Sequence, residues 1–183
     1  MPLSLKVLGI AVFPLQFQAH SALMTLQRAD FTMRKLSIVG QGPPAGSQGG
    51  QTQRVDEPRA DAAHAGASWG TIMNLLSGSA MFYAPAIGHL IVAGPLATAL
   101  FATVSRAAFS AGPSAFARGL VGAGIPWHSV MRYEAALKAN KFILAVHGDT
   151  HDIRQAREQL IGTGLTSFQE HHITASAYEH AQT

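Results

Sequence analysis

WGTIMNLLSGSAMFYAPAIGHLIVAGPLATALFATVS, residues 69–105, is the stretch whose reading decides the fold. It lies within a run from Ala62 to Ser105 that contains no Asp, Glu, Lys or Arg. Surface helices of globular domains carry charges on their outer face, and this run has none to place there. Pro85 divides it into Trp69 to Ala84, 16 residues, and Ile87 to Ser105, 19 residues. As helices these arms would measure about 24 and 28 Å, against a hydrocarbon core about 30 Å thick. Ala84-Pro85-Ala86-Ile87-Gly88 between them has good turn chemistry. Small residues at Gly66 and Gly70, Ala93 and Ala97, and Thr98 and Ala102 recur at every fourth position and let helices approach closely in lipid. Trp69, Phe82 and Tyr83 suit its interfaces. The stretch therefore predicts a hydrophobic membrane helical hairpin, spanning or re-entrant. A helical hairpin packed on another subunit would have a similar composition, and Gly94-Pro95 and the polar His89 fit that alternative. Arg54 and Arg59 before the run, and Arg106 and Arg118 after it, favour cytoplasmic ends.

Outside the run the chain repeats itself. Leu8-Gly9-Ile10-Ala11-Val12 falls without a gap on Phe142-Ile143-Leu144-Ala145-Val146, Ala22 on Ala156, Leu26 on Leu160 and Phe31 on Leu165. Both copies read strand, helix, strand. The first has a strand near Lys6 to Phe13, a helix with Ala19, Ala22, Leu23 and Leu26 on one face, and a strand from Lys35 to Val39. The second has an apolar strand from Lys141 to Val146, then Asp149 as the cap of a helix carrying Ile153, Ala156 and Leu160, ended by Gly162 or Gly164. Lys6 and the apolar residues after it, with Ala19, Ser21 and Ala22, also match the layout of a signal peptide. Recurrence of the pattern far from the N-terminus favours a strand.

Gly124-Ile125-Pro126 opens one further helix, with Val130, Tyr133 and Leu137 on one face and a Glu134–Lys138 pair on another. The predicted fold class is α+β: a ferredoxin-like duplicated βαβ sheet with an inserted hydrophobic (membrane) helical hairpin. Residues 1–40 form the first half, 41–65 a flexible Gly/Pro-rich linker, 66–123 the insert, 124–174 the helix plus the second half, and 175–183 a tail.

Composition restricts function. Hydrophobic residues make up 48% and charged residues 13%, low beside the roughly 25% charge of ordinary soluble domains. The 13 Lys and Arg and 10 Asp and Glu are scattered, so no basic block follows phosphates and nucleic acid is excluded as a partner. Cysteine is absent, which removes thiolate nucleophiles and Cys-based zinc sites. Any metal then rests on the nine histidines. His147-Gly148-Asp149-Thr150-His151 sets two imidazoles around one turn. Parallel C-terminal strands would bring His147 near the sheet end reached by His172, so His147, His151 and His172 are the candidate metal ligands. The plainer reading makes Asp149 a helix cap and the histidines solvated. No catalytic set assembles around Asp149, and no Gly-rich loop leads into a helix to hold phosphate. The sequence predicts no enzyme and no cofactor.

Arg34 to Gly40, Gly78-Ser79-Ala80, Ala93-Gly94-Pro95-Leu96, Gly124-Ile125-Pro126, Arg132 to Lys138, Lys141-Phe142 and Val146-His147-Gly148 together resemble a family of uncharacterised bacterial membrane proteins related to general stress proteins. The resemblance spans roughly Leu8 to Ile173. The chain departs from the family in its linker and at Pro113. The resemblance implies membrane association and a stress link, and offers no catalytic residues. Together these readings predict an anchored structural or interaction protein of the bacterial inner membrane, its halves cytoplasmic, with membrane lipid as partner and homo-oligomers through its small-residue faces. The alternative is a small-ligand or metal-sensing sheet.

Overall fold

In the strand Lys6–Phe13 (β1), the residues from Val7 to Phe13 are apolar on both sides and buried on both. The computed structural model describes residues 6–42, 72, 75–76, 79–84, 87–96, 115–122 and 124–173. After β1 come Gln16–Arg28 (α1), a 3-10 turn at Met33–Lys35, Leu36–Gln41 (β2), Ser79–Ala84 (β3) and Gly88–Ala93 (β4). Ala115–Gly122 (α2), Trp127–Lys138 (α3), Phe142–Gly148 (β5), Thr150–Leu160 (α4) and Ser167–Ile173 (β6) complete the described elements. The strands form one sheet in the order β3-β4-β2-β5-β1-β6, and each neighbouring pair is antiparallel.

The repeat is visible in this order. The first strands of the two copies, β1 and β5, pair with each other from Val7 opposite Gly148 to Phe13 opposite Phe142. Each copy's second strand flanks the other copy's first: β2 lies on β5 and β6 on β1. On one face Val7, Ala11 and Phe13 pack with Ala19, Ala22, Leu23 and Leu26 of α1 and with Ile153, Ala156 and Leu160 of α4. On the other, Leu8, Ile10 and Val12 pack with Ala117 and Leu120 of α2 and with Val130, Tyr133 and Leu137 of α3. Full burial of each large apolar side chain contributes about 1.5–3 kcal/mol, so the sheet's two sides are separate cores of comparable weight. Gly9 sets how low α4 sits. A Cβ there would lie 2.8 Å from Phe168 Cζ and 3.2 Å from Ile153 Cγ2.

Helix ends follow the side chains that can stop them. Asp30 and Asn140 hold positive φ, 56° and 60°, a conformation short polar residues tolerate. Phe31 N–H reaches back to Leu26 O, and Lys141 N–H to Ala136 O, each at 3.0 Å, so α1 and α3 end alike. At the start of α4, Asp149 accepts from Asp152 N–H at 2.8 Å while Asp152 Oδ2 accepts from Asp149 N–H at 3.1 Å. That is a reciprocal capping box.

The expected helical hairpin is corrected. Residues 79–84 and 88–93 are antiparallel strands paired from Ser79 opposite Ala93 to Ala84 opposite Gly88, and β4 continues onto β2. Among the described residues no helix is long and apolar enough to cross a membrane. The misreading has a physical source. Leu90 and Val92 enter one core and Ala93 the other, and a strand buried on both faces reads as the same unbroken apolar run that lipid demands of a helix. The sheet is accordingly a six-stranded α+β assembly instead of a four-stranded one carrying a membrane insert. The anchoring role, the lipid partner, the transmembrane character and the inner-membrane location with cytoplasmic halves all rested on that hairpin and are not supported. The linker expected over 41–65 lies outside the described residues beyond 42, as do the tail at 175–183 and the far parts of both expected arms.

At the end of β4, Gly94 has φ of +99°, and a Cβ there would collide with the Leu36 carbonyl oxygen. The close turn brings Leu96 N–H to Ser37 Oγ at 3.0 Å, which fixes the hairpin's exit on β2. Glu134, read as an i,i+4 partner of Lys138 on a second face of the helix, is buried.

Candidate functional site

Period-2 alternation divides β6 between the two faces of the sheet. Gln169, His171 and Ile173 point to the α3 side, where Ile173 joins the core with Leu8. Phe168, Glu170 and His172 belong to the α4 side: Arg157 of α4 sits 5.9 Å over the Phe168 ring and 3.6 Å from Glu170 Oε1.

The densest polar cluster lies between β6 and α3. Tyr133 Oη is 2.5 Å from His171 Nε2 and 3.1 Å from Gln169 Oε1. Arg132 donates from Nη2 to the same Gln169 Oε1 at 2.9 Å and to Ser129 Oγ at 3.3 Å. The two rings meet edge to face, centroids 5.8 Å apart and planes at 85°. Gln169 Oε1 can only accept, and Arg132 supplies it a proton. The Tyr133 hydroxyl lies within reach of both Gln169 Oε1 and His171 Nε2, and the direction of its bond with the imidazole follows the tautomer. Burial, with the Arg132 and His128 charges adding to it, holds His171 below its ordinary value of 6.5. Burial outweighs the opposing Arg132 charge and pushes the Tyr133 hydroxyl up to about 12. Both groups stay uncharged near neutrality.

The three histidines expected to share a metal are separated. His147 of β5 stands opposite Leu8, whereas His172 of β6 stands opposite Val7. Adjacent positions along β1 face opposite sides, so His147 lies on the α3 face and His172 on the α4 face. It is His171 that shares a row with His147, each flanking Leu8. His147 Nε2 is 3.1 Å from Ser37 Oγ. His151 is exposed in the first turn of α4. There its ring nitrogen and oxygens of Asp149 and Asp152 lie within 4.8 Å of one another. Those carboxylates are engaged: Asp149 caps α4, and Asp152 Oδ2 accepts from Lys35 Nζ at 2.7 Å. Burial raises the Asp152 carboxyl, but the hydrogen bonds from Lys35 and the Asp149 N–H, with the Lys35 and His151 charges, outweigh it and leave it below its ordinary value.

Sequence reasoning missed the Tyr133, Gln169 and Arg132 group. Tyr133 was legible only as part of an apolar face. A partial signal existed in Gln169 and His171, polar residues two apart that must share one face of a strand.

Compared with family models, curated proteins and solved structures, the chain finds no match in any of the three. The resemblance to uncharacterised bacterial membrane proteins is therefore corrected: no family model supports it, and the centre that carried it contains a strand hairpin.

Proposed function

We propose that the protein is a non-catalytic recognition domain whose binding element is the outer edge of β6. The observation that carries this reading is topological: among the described residues β6 is hydrogen-bonded only to β1, and it ends the sheet. An edge strand presents unpaired N–H and C=O groups, which an extended segment can use by adding a strand. Natural edges are blunted by Pro, Lys or short length. β6 runs seven residues, SFQEHHI, with neither.

The edge is also braced. On the α3 side Arg132 and Tyr133 hold Gln169 and His171; on the α4 side Arg157 holds Phe168 and Glu170. A rigid edge loses less conformational entropy when a partner docks. β3 is the sheet's other edge. The non-catalytic reading is supported by the polar groups themselves. Tyr133 and His171 are buried and hydrogen-bonded to each other, and Ser37 is fully buried between Leu96 N and His147.

The test is to select binders from a random-peptide library on the folded full chain and to map them by hydrogen exchange. Slowed exchange across 167–173 supports the edge. Binders that protect other segments and leave 167–173 unchanged contradict it.

A further inference from the structure

Resting on that reading of β6, we propose that its occupant is an extended acidic segment of another protein, with carboxylates directed at Arg132 on one face and Arg157 on the other. Both guanidinium groups flank the middle of the strand, one beside Gln169 and one beside Phe168 and Glu170. Both have spare capacity. Arg157 is 59% exposed and its contact with Glu170 is long, 3.6 Å. Arg132 is exposed, and it donates to two neutral oxygens, Ser129 Oγ and Gln169 Oε1. Guanidinium is the cation best suited to carboxylate, which it can grip with two N–H groups.

Strand geometry sets the pattern of acids. Successive side chains of an added strand point to opposite faces. A carboxylate opposite Gln169 therefore reaches the Arg132 side, and one opposite Phe168 reaches the Arg157 side. Position 170 of β6 is Glu, and like charges directly opposite each other on a sheet repel. The segment should carry two adjacent acids followed or preceded by an uncharged residue facing Glu170. A second copy of β6 meets this poorly: SFQEHHI holds a single acid and no adjacent pair.

The probes are seven-residue Thr/Val peptides, capped at both ends, with a central Glu-Glu, Gln-Gln or Lys-Lys pair. Affinity is measured by fluorescence anisotropy on the full chain, and the site by hydrogen exchange. The Glu-Glu peptide should bind at least about threefold tighter than Gln-Gln, with Lys-Lys weakest, and the advantage should shrink as salt is raised. Arg157→Gln should reduce Glu-Glu binding about threefold more than it reduces Gln-Gln binding, and Arg157→Lys should recover part of that difference. Salt dependence needs no variant and so does not rely on folding of the mutants. Equal affinity of all three peptides at 167–173 overturns the acidic partner and leaves the edge reading standing. Glu-Glu binding that protects no residue of 167–173 overturns the edge reading and the acidic partner together, as does no binding by any peptide. A concentration-dependent dimer that protects 167–173 overturns the acidic partner in favour of a second copy.

Discussion

The Tyr133 hydroxyl lies 2.5 Å from His171 Nε2 and ties the middle of α3 to the outermost strand of the sheet. It also reaches Gln169, two residues earlier on the same face of β6. Tyr133→Phe keeps the ring but removes the hydroxyl that the buried His171 Nε2 bonds, while Gln169 Oε1 keeps its bond from Arg132. The expected cost is about 1–3 kcal/mol of stability, read as a lower urea midpoint with unchanged slope. Exchange at 167–173 should rise more than at the centre of β5, because the brace belongs to the edge.

His171 gives that brace a pH dependence. Burial and the Arg132 and His128 charges place its folded value below 6.5, so the unfolded chain takes up the proton first. Its contribution to stability is complete above the unfolded value, declines as pH falls below it, and levels off under the folded value. His20, lowered by burial, adds to the same trend. Melting temperature should therefore drop as pH falls below the unfolded value of 6.5. His171→Gln should flatten its share of that drop while His20→Gln flattens the remainder. A slope unchanged in both variants would contradict the assignment.

Asp152 acts in the acid range with a different cause. Its carboxyl joins the cap of α4 to Lys35, immediately before β2. Because its folded value is lowered, the stability it supplies is present above the unfolded value and is lost as pH falls through the folded one. Asp152→Asn should cost about 1 kcal/mol near neutrality. A double-mutant cycle with Lys35→Met should give a coupling under about 1 kcal/mol, since Lys35 is substantially exposed to solvent.

Gly9, on the strand next to the β6 edge, sits under Phe168 and Ile153. Gly9→Val should destabilise by about 1–3 kcal/mol through overpacking. Gly9→Ala should cost less, because the Phe168 ring can swing aside, but that shift should disturb the Arg157 contact. Chemical denaturation gives the ranking, and a Val variant as stable as the Ala variant would contradict it.

Much of the sheet was legible in the residues. Lys6 to Phe13 was read as a strand and is β1; the 35–39 and 141–146 strands appear as Leu36–Gln41 and Phe142–Gly148; Asp149 caps its helix. These elements announce themselves locally, through period, β-branching and cap chemistry. The hairpin of β3 and β4 does not, because unbroken apolarity says that a segment is buried without saying whether sheet or lipid buries it. Helical spacing paired Glu134 with Lys138 but did not show that Glu134 is buried. The site was hidden for a related reason. Which of His171 and His172 shares a face with His147 depends on a register with β1 that only pairing defines, and Tyr133 meets β6 across 38 residues of chain.

Hydrogen exchange across β6 tests the central claim most directly. With the full chain saturated by the Glu-Glu peptide, amides of Ser167–Ile173 should exchange at least about tenfold more slowly than in the free protein, while the β3 segment Ser79–Ala84 stays unchanged. Unaltered exchange at 167–173 under saturation, or protection confined to another part of the chain, would contradict recognition at this edge.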